Sequence, residues 1–299
     1  MTEALLTHCT LCPRQCGANR LAGQTGFCGA GARVKVARAA LHHWEEPCIS
    51  GTRGSGTVFF SGCTLQCCFC QNYPISAEGF GREISEERLA KLFLDLQRQG
   101  AHNINLVTPG QYRPQIIRAL DLARQQGLSL PIVCNTGGYE TVESVRAWQG
   151  YIDIWLADIK YVDSALSARL SRAGDYFAVA DKAIRAMLDQ TGAPVYDSEG
   201  ILRSGVILRH LALPGQTADS FAVLDWMAAL PAGSFVPSLM SQFTPFYKAA
   251  ENGLGRRITT YEYRRVIDRA MDLGLTEGYM QEKSSAREEY TPAFDLTGL

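Results

Sequence analysis

Cys63, Cys67 and Cys70 fall in a C-x3-C-x2-C array inside the stretch SGCTLQCCFCQN, Ser61 to Asn72. Three thiolates on one tight loop can hold three irons of a cubane cluster, a group that four cysteines otherwise close. The fourth iron is then left for a ligand that the protein does not supply. Two plainer chemistries use the same residue types: a redox pair, Cys67-x-x-Cys70, or a zinc knuckle. A redox C-x-x-C opens a helix at once, whereas Gln71, Asn72, Tyr73 and Pro74 read as continuing loop. Cys68 fits no ligand spacing and reads as a neighbour.

A second set, Cys9-x2-Cys12-x3-Cys16-x11-Cys28, lies near the N-terminus among glycines and beside Pro13. Such short knuckles let thiolates converge without a hydrophobic core, and four of them suit either a closed zinc site or an iron–sulfur cluster. The spacing leaves both open. The remaining reading is unligated thiols on a disordered tail.

The elements that must position these groups follow from length and pattern. The chain has 299 residues, 46% hydrophobic and 20% charged, enough for one large domain with a small appendage. Its formal net charge of -1 gives no footprint for nucleic acid or an anionic membrane. No apolar run approaches the roughly 20 residues of a spanning helix, and the N-terminus lacks the pattern of a secretory signal. A cytoplasmic protein is expected. Of ten cysteines, nine lie in the first 70 residues, which favours metal ligands over a disulfide framework.

A cysteine-rich metal-binding module is expected over residues 1–50 and a barrel over 51–299. Residues 33–44 read as one or two strands joining the two; Glu45, Glu46 and Pro47 end them. His42 and His43 read as strand-edge residues. From Thr57 onward, strand and helix alternate. Strands are expected at 57–60, 103–107, 131–135, 151–157, 205–211 and 235–241, with a short seventh near 279–282. Helices are expected at 86–99, from Pro114, near 140–149, within 164–190, and at 218–230 and 260–273. Leu89, Leu92, Phe93 and Leu96 give the first helix its apolar face, behind a Ser85 cap. Alternation implies parallel strands with right-handed crossovers. About six units predict an α/β fold, a partial (β/α)6 barrel, with functional groups at the carboxyl ends of the strands.

The strand ends carry the cysteine loop, then Thr108 to Tyr112, then Asn135 to Tyr139. Asp158 and Lys160 follow, then Arg209 and His210, then Ser241, Gln242 and Tyr247. Arg209 and His210 alternate across their strand, and Arg209 is the one expected to face the site. Tyr112, Tyr139, Tyr247 and Cys134 read as packing; Asn19, Arg20 and Arg113 read as surface.

The cysteine spacing resembles that of the radical S-adenosylmethionine (SAM) enzymes. CPRQC, EEPCISG, GTVFFSGCTLQCCFCQN, LVTPGQY, NTGGY, DIKY, RHLALPG and SLMSQF together resemble the pyruvate formate-lyase activating enzyme-like proteins of that superfamily, over nearly the whole chain. The resemblance implies a [4Fe-4S] cluster on Cys63, Cys67 and Cys70, with SAM on the open iron. It implies that Asp158 and Lys160 lie by SAM, the acid near a monovalent cation and the lysine on the carboxylate side. It also assigns SAM contacts to Arg209, to the turn at Gly110 and to the backbone at Phe69, and Asn135 and Thr136 complete the bed. At Gly110 the usual Gly-Gly-Glu is Pro109, Gly110, Gln111, which puts the amino-group contact in doubt.

A radical SAM oxidoreductase is therefore expected, one that cleaves SAM to a 5'-deoxyadenosyl radical and takes hydrogen from a small molecule, peptide or protein. Its electron donor would be a carrier such as flavodoxin or ferredoxin. The alternatives are an activase of a glycyl-radical enzyme and a non-catalytic zinc protein. The activases lack this N-terminal module or carry ferredoxin-like inserts after the SAM-binding cysteines, and a metal-pinned cap suits a closed site, which favours the first reading.

Overall fold

In the computed structural model, residues 2–281 and 292–299 are described. The expected strand near 279–282 is seen at Tyr279–Met280; the positions beyond Gln281 fall outside the described residues. Among the described residues, ten strands appear in chain order: β1 Val34–His42, β2 Ser55–Phe60, β3 Arg82–Ile84, β4 Ile104–Val107 and β5 Ile132–Thr136, then β6 Ile154–Asp158, β7 Val195–Tyr196, β8 Leu202–Leu211, β9 Val236–Met240 and β10 Tyr279–Met280. The sheet runs β10-β9-β8-β6-β5-β4-β2-β1-β3, with β7 paired antiparallel to β8. From β2 to β10 all neighbours on this path are parallel. This is the partial (β/α)6 barrel read from the alternation, with the short seventh strand at one edge.

β1 is a single strand, antiparallel to β2, and β3 adds antiparallel to β1. Residues 33–44 therefore extend the main sheet. β3 carries no sequence signal, being three residues with two exposed side chains. Residues 292–299 pair with the same strand: Ala39 N donates to Thr297 O at 2.9 Å, and Leu296 N to Ala37 O at 3.1 Å.

The helices cover the sheet as their patterns require. Glu86–Arg98 is capped by Ser85, whose side chain accepts from Arg88 N, and it buries Leu89, Leu92, Phe93 and Leu96. Burying each such side chain stabilises by roughly 2 kcal/mol before the entropy of ordering is counted. Arg113–Gln125, Ser164–Ser171, Tyr176–Thr191, Thr217–Ala228 and Thr260–Asp272 serve the later crossovers.

Two expectations fail locally. Tyr73–Ser76 forms a helical turn where loop is expected, because Pro74 at a helix start lacks only an N–H that would be unpaired there anyway. The helix expected from residue 140 is only Val142–Arg146, capped by Thr141; Glu140 stays outside it, buried. Among the described residues, no helix is long and apolar enough to cross a membrane.

Candidate active site

At the carboxyl end of the parallel strands lies a cavity of about 240 Å³. Its wall includes Cys63, Cys67, Cys70, Phe69, Asn135, Thr136, Asp158, Lys160 and Arg209. Loops after parallel strands converge there because every strand ends at the same edge. Gly110 is not in that wall: a side chain on it would collide with the Glu140 carboxylate. Its neighbour Gln111 lines the cavity instead, and Gln111 Nε2 donates to Ser61 O at 3.1 Å and Gly62 O at 3.0 Å, bracing the cysteine loop.

Each of the three sulfurs has a donor. Leu65 N reaches Cys63 Sγ at 3.4 Å, Ser171 Oγ reaches Cys67 Sγ at 3.0 Å, and Ser76 Oγ reaches Cys70 Sγ at 3.4 Å. Burial pushes the Cys63 thiol up to about 12 and raises that of Cys70. Metal binding must overcome that cost, and donors to sulfur favour the thiolate form. All ten cysteines are free, and among the described residues no three Cys, His, Asp or Glu are grouped as ligands of a single ion. Thiolates that each bind a different iron of a cubane need not converge on one point. The loop fits a cluster.

Beside it stands a charge network of residues distant in sequence. Lys160 Nζ donates to Asp158 Oδ2 at 2.6 Å, and Arg209 Nε to Asp158 Oδ1 at 2.9 Å. Arg209 also donates from Nη1 to Glu45 Oε2 at 3.1 Å and from Nη2 to Asn135 Oδ1 at 2.7 Å. Asn135 Nδ2 donates to Glu45 Oε1 at 3.2 Å, which closes the ring. Burial alone would raise the Asp158 carboxyl, but Lys160 and Arg209 outweigh it and hold it below its usual range. Burial opposes the charges on Lys160 and Arg209 too; Asp158 overcomes it and raises both. Burial raises Glu45, against the pull of Arg209.

Tyr176 fixes this network from beneath. Its hydroxyl accepts from Lys160 N at 2.9 Å and lies 2.9 Å from Gly137 O and 3.0 Å from Asp158 O. Phe69 packs on Phe243, ring centroids 5.9 Å apart, to form an apolar wall. At the rim Trp44 is 61% exposed, next to His42, which packs edge-on against Phe59. His210 points away, bonded to Ile159 O and Ser220 Oγ, as the strand alternation requires.

Several positions depart from the sequence reading. Arg20 and Arg113 are buried and Asn19 is half-buried, where surface is expected. Arg20 donates to Cys9 Sγ at 3.1 Å, and Arg113 to Ser144 Oγ at 2.6 Å, near Glu140. Glu45, read as a strand end, and Glu140, read as helix, are polar groups of the site and its support. The pair Glu45-Glu46 after an alternating strand is the one signal that could have pointed there. Cys134, Tyr112 and Tyr139 are buried. Tyr247 stacks on Tyr73 at 5.0 Å.

The sequence model of the radical SAM superfamily matches residues 57–225, from β2 into the helix after β8. An uncharacterised protein of Methanocaldococcus jannaschii is 27% identical over 286 residues, 92% of this chain and 78% of that protein. The pyruvate formate-lyase-activating enzyme of Clostridium pasteurianum is 32% identical over 111 residues, 36% of this chain. That match spans 45% of the enzyme. A radical SAM methyltransferase from Sphaerobacter thermophilus has a similar fold, with a TM-score of 0.53 and 15% identity over 77% of this chain and 67% of its own.

Proposed function

The chain belongs to the radical SAM superfamily, and from that premise we propose a radical SAM oxidoreductase acting on a small molecule, peptide or protein side chain. Cys63, Cys67 and Cys70 would hold the [4Fe-4S] cluster, and the cavity beside them would take SAM. When bound, the cluster supplies the one electron that cleaves SAM to methionine and a 5'-deoxyadenosyl radical, which takes a hydrogen atom from the substrate. The chain's own residues bind, orient and exclude water. Lys160 and Arg209 offer cationic groups to the SAM carboxylate, and Asp158 stays ionised to hold both in place. Asn135, Thr136 and the backbone at Phe69 serve the nucleoside part. A monovalent cation, if used, belongs at Asp158.

The observation that carries this reading is that three sulfurs, each with its own donor, share one cavity with the Asp158–Lys160–Arg209 network. Anaerobically reconstituted protein, reduced with dithionite in the presence of SAM, is expected to release 5'-deoxyadenosine. Cys63→Ala is expected to abolish that release; retention of activity would overturn the assignment. Electrons in the cell would come from a flavodoxin or ferredoxin, in a cytoplasmic setting.

The partial similarity to a pyruvate formate-lyase-activating enzyme favours a second reading, an activase that places a glycyl radical on a partner enzyme. A glycyl-radical signal in a candidate partner after incubation with reduced protein and SAM would select it. In either case the N-terminal Cys9, Cys12, Cys16 and Cys28 would hold a second metal centre, zinc or iron–sulfur. A chain holding zinc at both cysteine sets and no iron would instead be a non-catalytic zinc protein.

A further inference from the structure

We propose that Cys9, Cys12, Cys16 and Cys28 hold a second [4Fe-4S] cluster, closed by four protein thiolates, that relays electrons to the Cys63–Cys67–Cys70 site. The relay rests on the reading of that site as a cluster of its own. Cys9-x2-Cys12-x3-Cys16 repeats the two spacers of Cys63-x3-Cys67-x2-Cys70 in reverse order, and Cys28 supplies a remote fourth ligand. Three close cysteines and a remote fourth are an arrangement that ferredoxin-type clusters use, and the surroundings favour it here.

The surroundings add what spacing alone does not show. Cys9, Cys12 and Cys28 are buried, and so is Arg20, only 3% exposed. Arg20 Nη2 donates to Cys9 Sγ at 3.1 Å and to Cys28 Sγ at 3.8 Å, Nη1 donates to Gln111 O at 2.5 Å, and Nε is buried with no partner. A second guanidinium, Arg113, is buried as well and donates to Ser144 Oγ at 2.6 Å. Burying cations is costly unless anions face them. Four thiolates on a cluster carry that negative charge; four neutral thiols would not. Donors to sulfur also raise an iron–sulfur potential, a use that redox-inert zinc lacks.

The two cysteine sets are neighbours through the backbone. Gly62, which precedes Cys63, lies against Cys28 O so closely that a β-carbon on it would collide. Gln66 Nε2 donates to Phe27 O at 2.8 Å, and Arg14 Nε to Thr64 O at 2.9 Å. Cys16 is exposed and marks the side on which a carrier would deliver its electron. One electron passes from a reduced one-electron carrier protein to the second cluster, taking it from 2+ to 1+. It then passes to the first cluster, which goes from 2+ to 1+ as the second returns to 2+. No bond or proton moves.

The test uses reconstituted full-length protein and two triple variants, Cys63→Ala/Cys67→Ala/Cys70→Ala and Cys9→Ala/Cys12→Ala/Cys28→Ala. Wild type is expected to hold ~8 iron, and each variant ~4. The reduced electron paramagnetic resonance signal should ignore SAM in the first variant and respond to it in the second. The second variant should release 5'-deoxyadenosine with dithionite yet lose at least about ten-fold with reduced flavodoxin. About four iron and one zinc in wild type, or zinc without iron in the first variant, overturns the second cluster. Equal loss with both reductants, or none with either, overturns the relay. Should the first-site reading itself fail, the second variant shows no SAM-responsive signal, while the metal content of the first variant still judges the N-terminal site.

Discussion

Glu45 Oε2 accepts a hydrogen bond from Arg209 Nη1 at 3.1 Å, joining a residue just beyond β1 to one near the end of β8, 164 positions on. The same guanidinium holds Asp158 and Asn135, so one side chain ties three parts of the cavity wall together. Removing Glu45 strips the withdrawn Arg209 charge of one of its two carboxylate partners. Glu45→Ala is therefore expected to destabilise the fold by about 3 kcal/mol in denaturant unfolding and to weaken SAM binding measured by calorimetry. Glu45→Gln, which keeps an acceptor, should lose less on both counts.

Gly138 follows β5 with φ +78°, and a β-carbon there would strike the backbone carbonyl of Asp158. The left-handed conformation and the collision together make Gly138→Ala costly, by about 2–4 kcal/mol in stability. Because Asp158 must move, the variant should also release less 5'-deoxyadenosine than its residual fold would allow, which activity per folded molecule measures.

Ser171 Oγ, at the end of Ser164–Ser171, donates to Cys67 Sγ at 3.0 Å. Losing one such bond removes about 1 kcal/mol of preference for the reduced state, equivalent to about 40 mV for one electron. Ser171→Ala should lower the potential of the SAM-responsive cluster by about that amount in a redox titration followed by electron paramagnetic resonance, with iron content unchanged.

Burial lowers the His210 imidazole from 6.5 to about 4. Its folded value lies below the unfolded one, so the unfolded chain takes up a proton first as pH falls. The contribution is fully present above about pH 6.5 and is lost down to about pH 4. Unfolding free energy should drop by about 2 kcal/mol between pH 7 and pH 5 from this residue. In His210→Gln that part of the pH dependence should vanish, even if the variant is less stable at pH 7.

Much of the barrel was legible because its signals are local. Leu89, Leu92, Phe93 and Leu96 must face one side of any helix, and Ser85 caps it wherever it packs. Arg209 and His210 must point to opposite sides of any strand, and they do. β3 and the turn at Tyr73–Ser76 were not legible, because three residues carry no period and one turn of helix is decided by what it packs on. Glu45 and Glu140 escaped for a related reason: a lone acid reads as exposed unless its distant partner is known.

The cysteine loop, the succession of strands and helices, and the strand ends at which functional groups gather are all written along the chain. Those depend on spacing and on the two periods of the backbone, which a linear chain already contains. Folding in three dimensions sets the rest: Arg209 meets Glu45, Gln111 rather than Gly110 lines the cavity, and Arg20 is buried against Cys9 and Cys28. Charges find their partners across the sheet, by burial in a shared interior, and no spacing along the chain records which partner that will be.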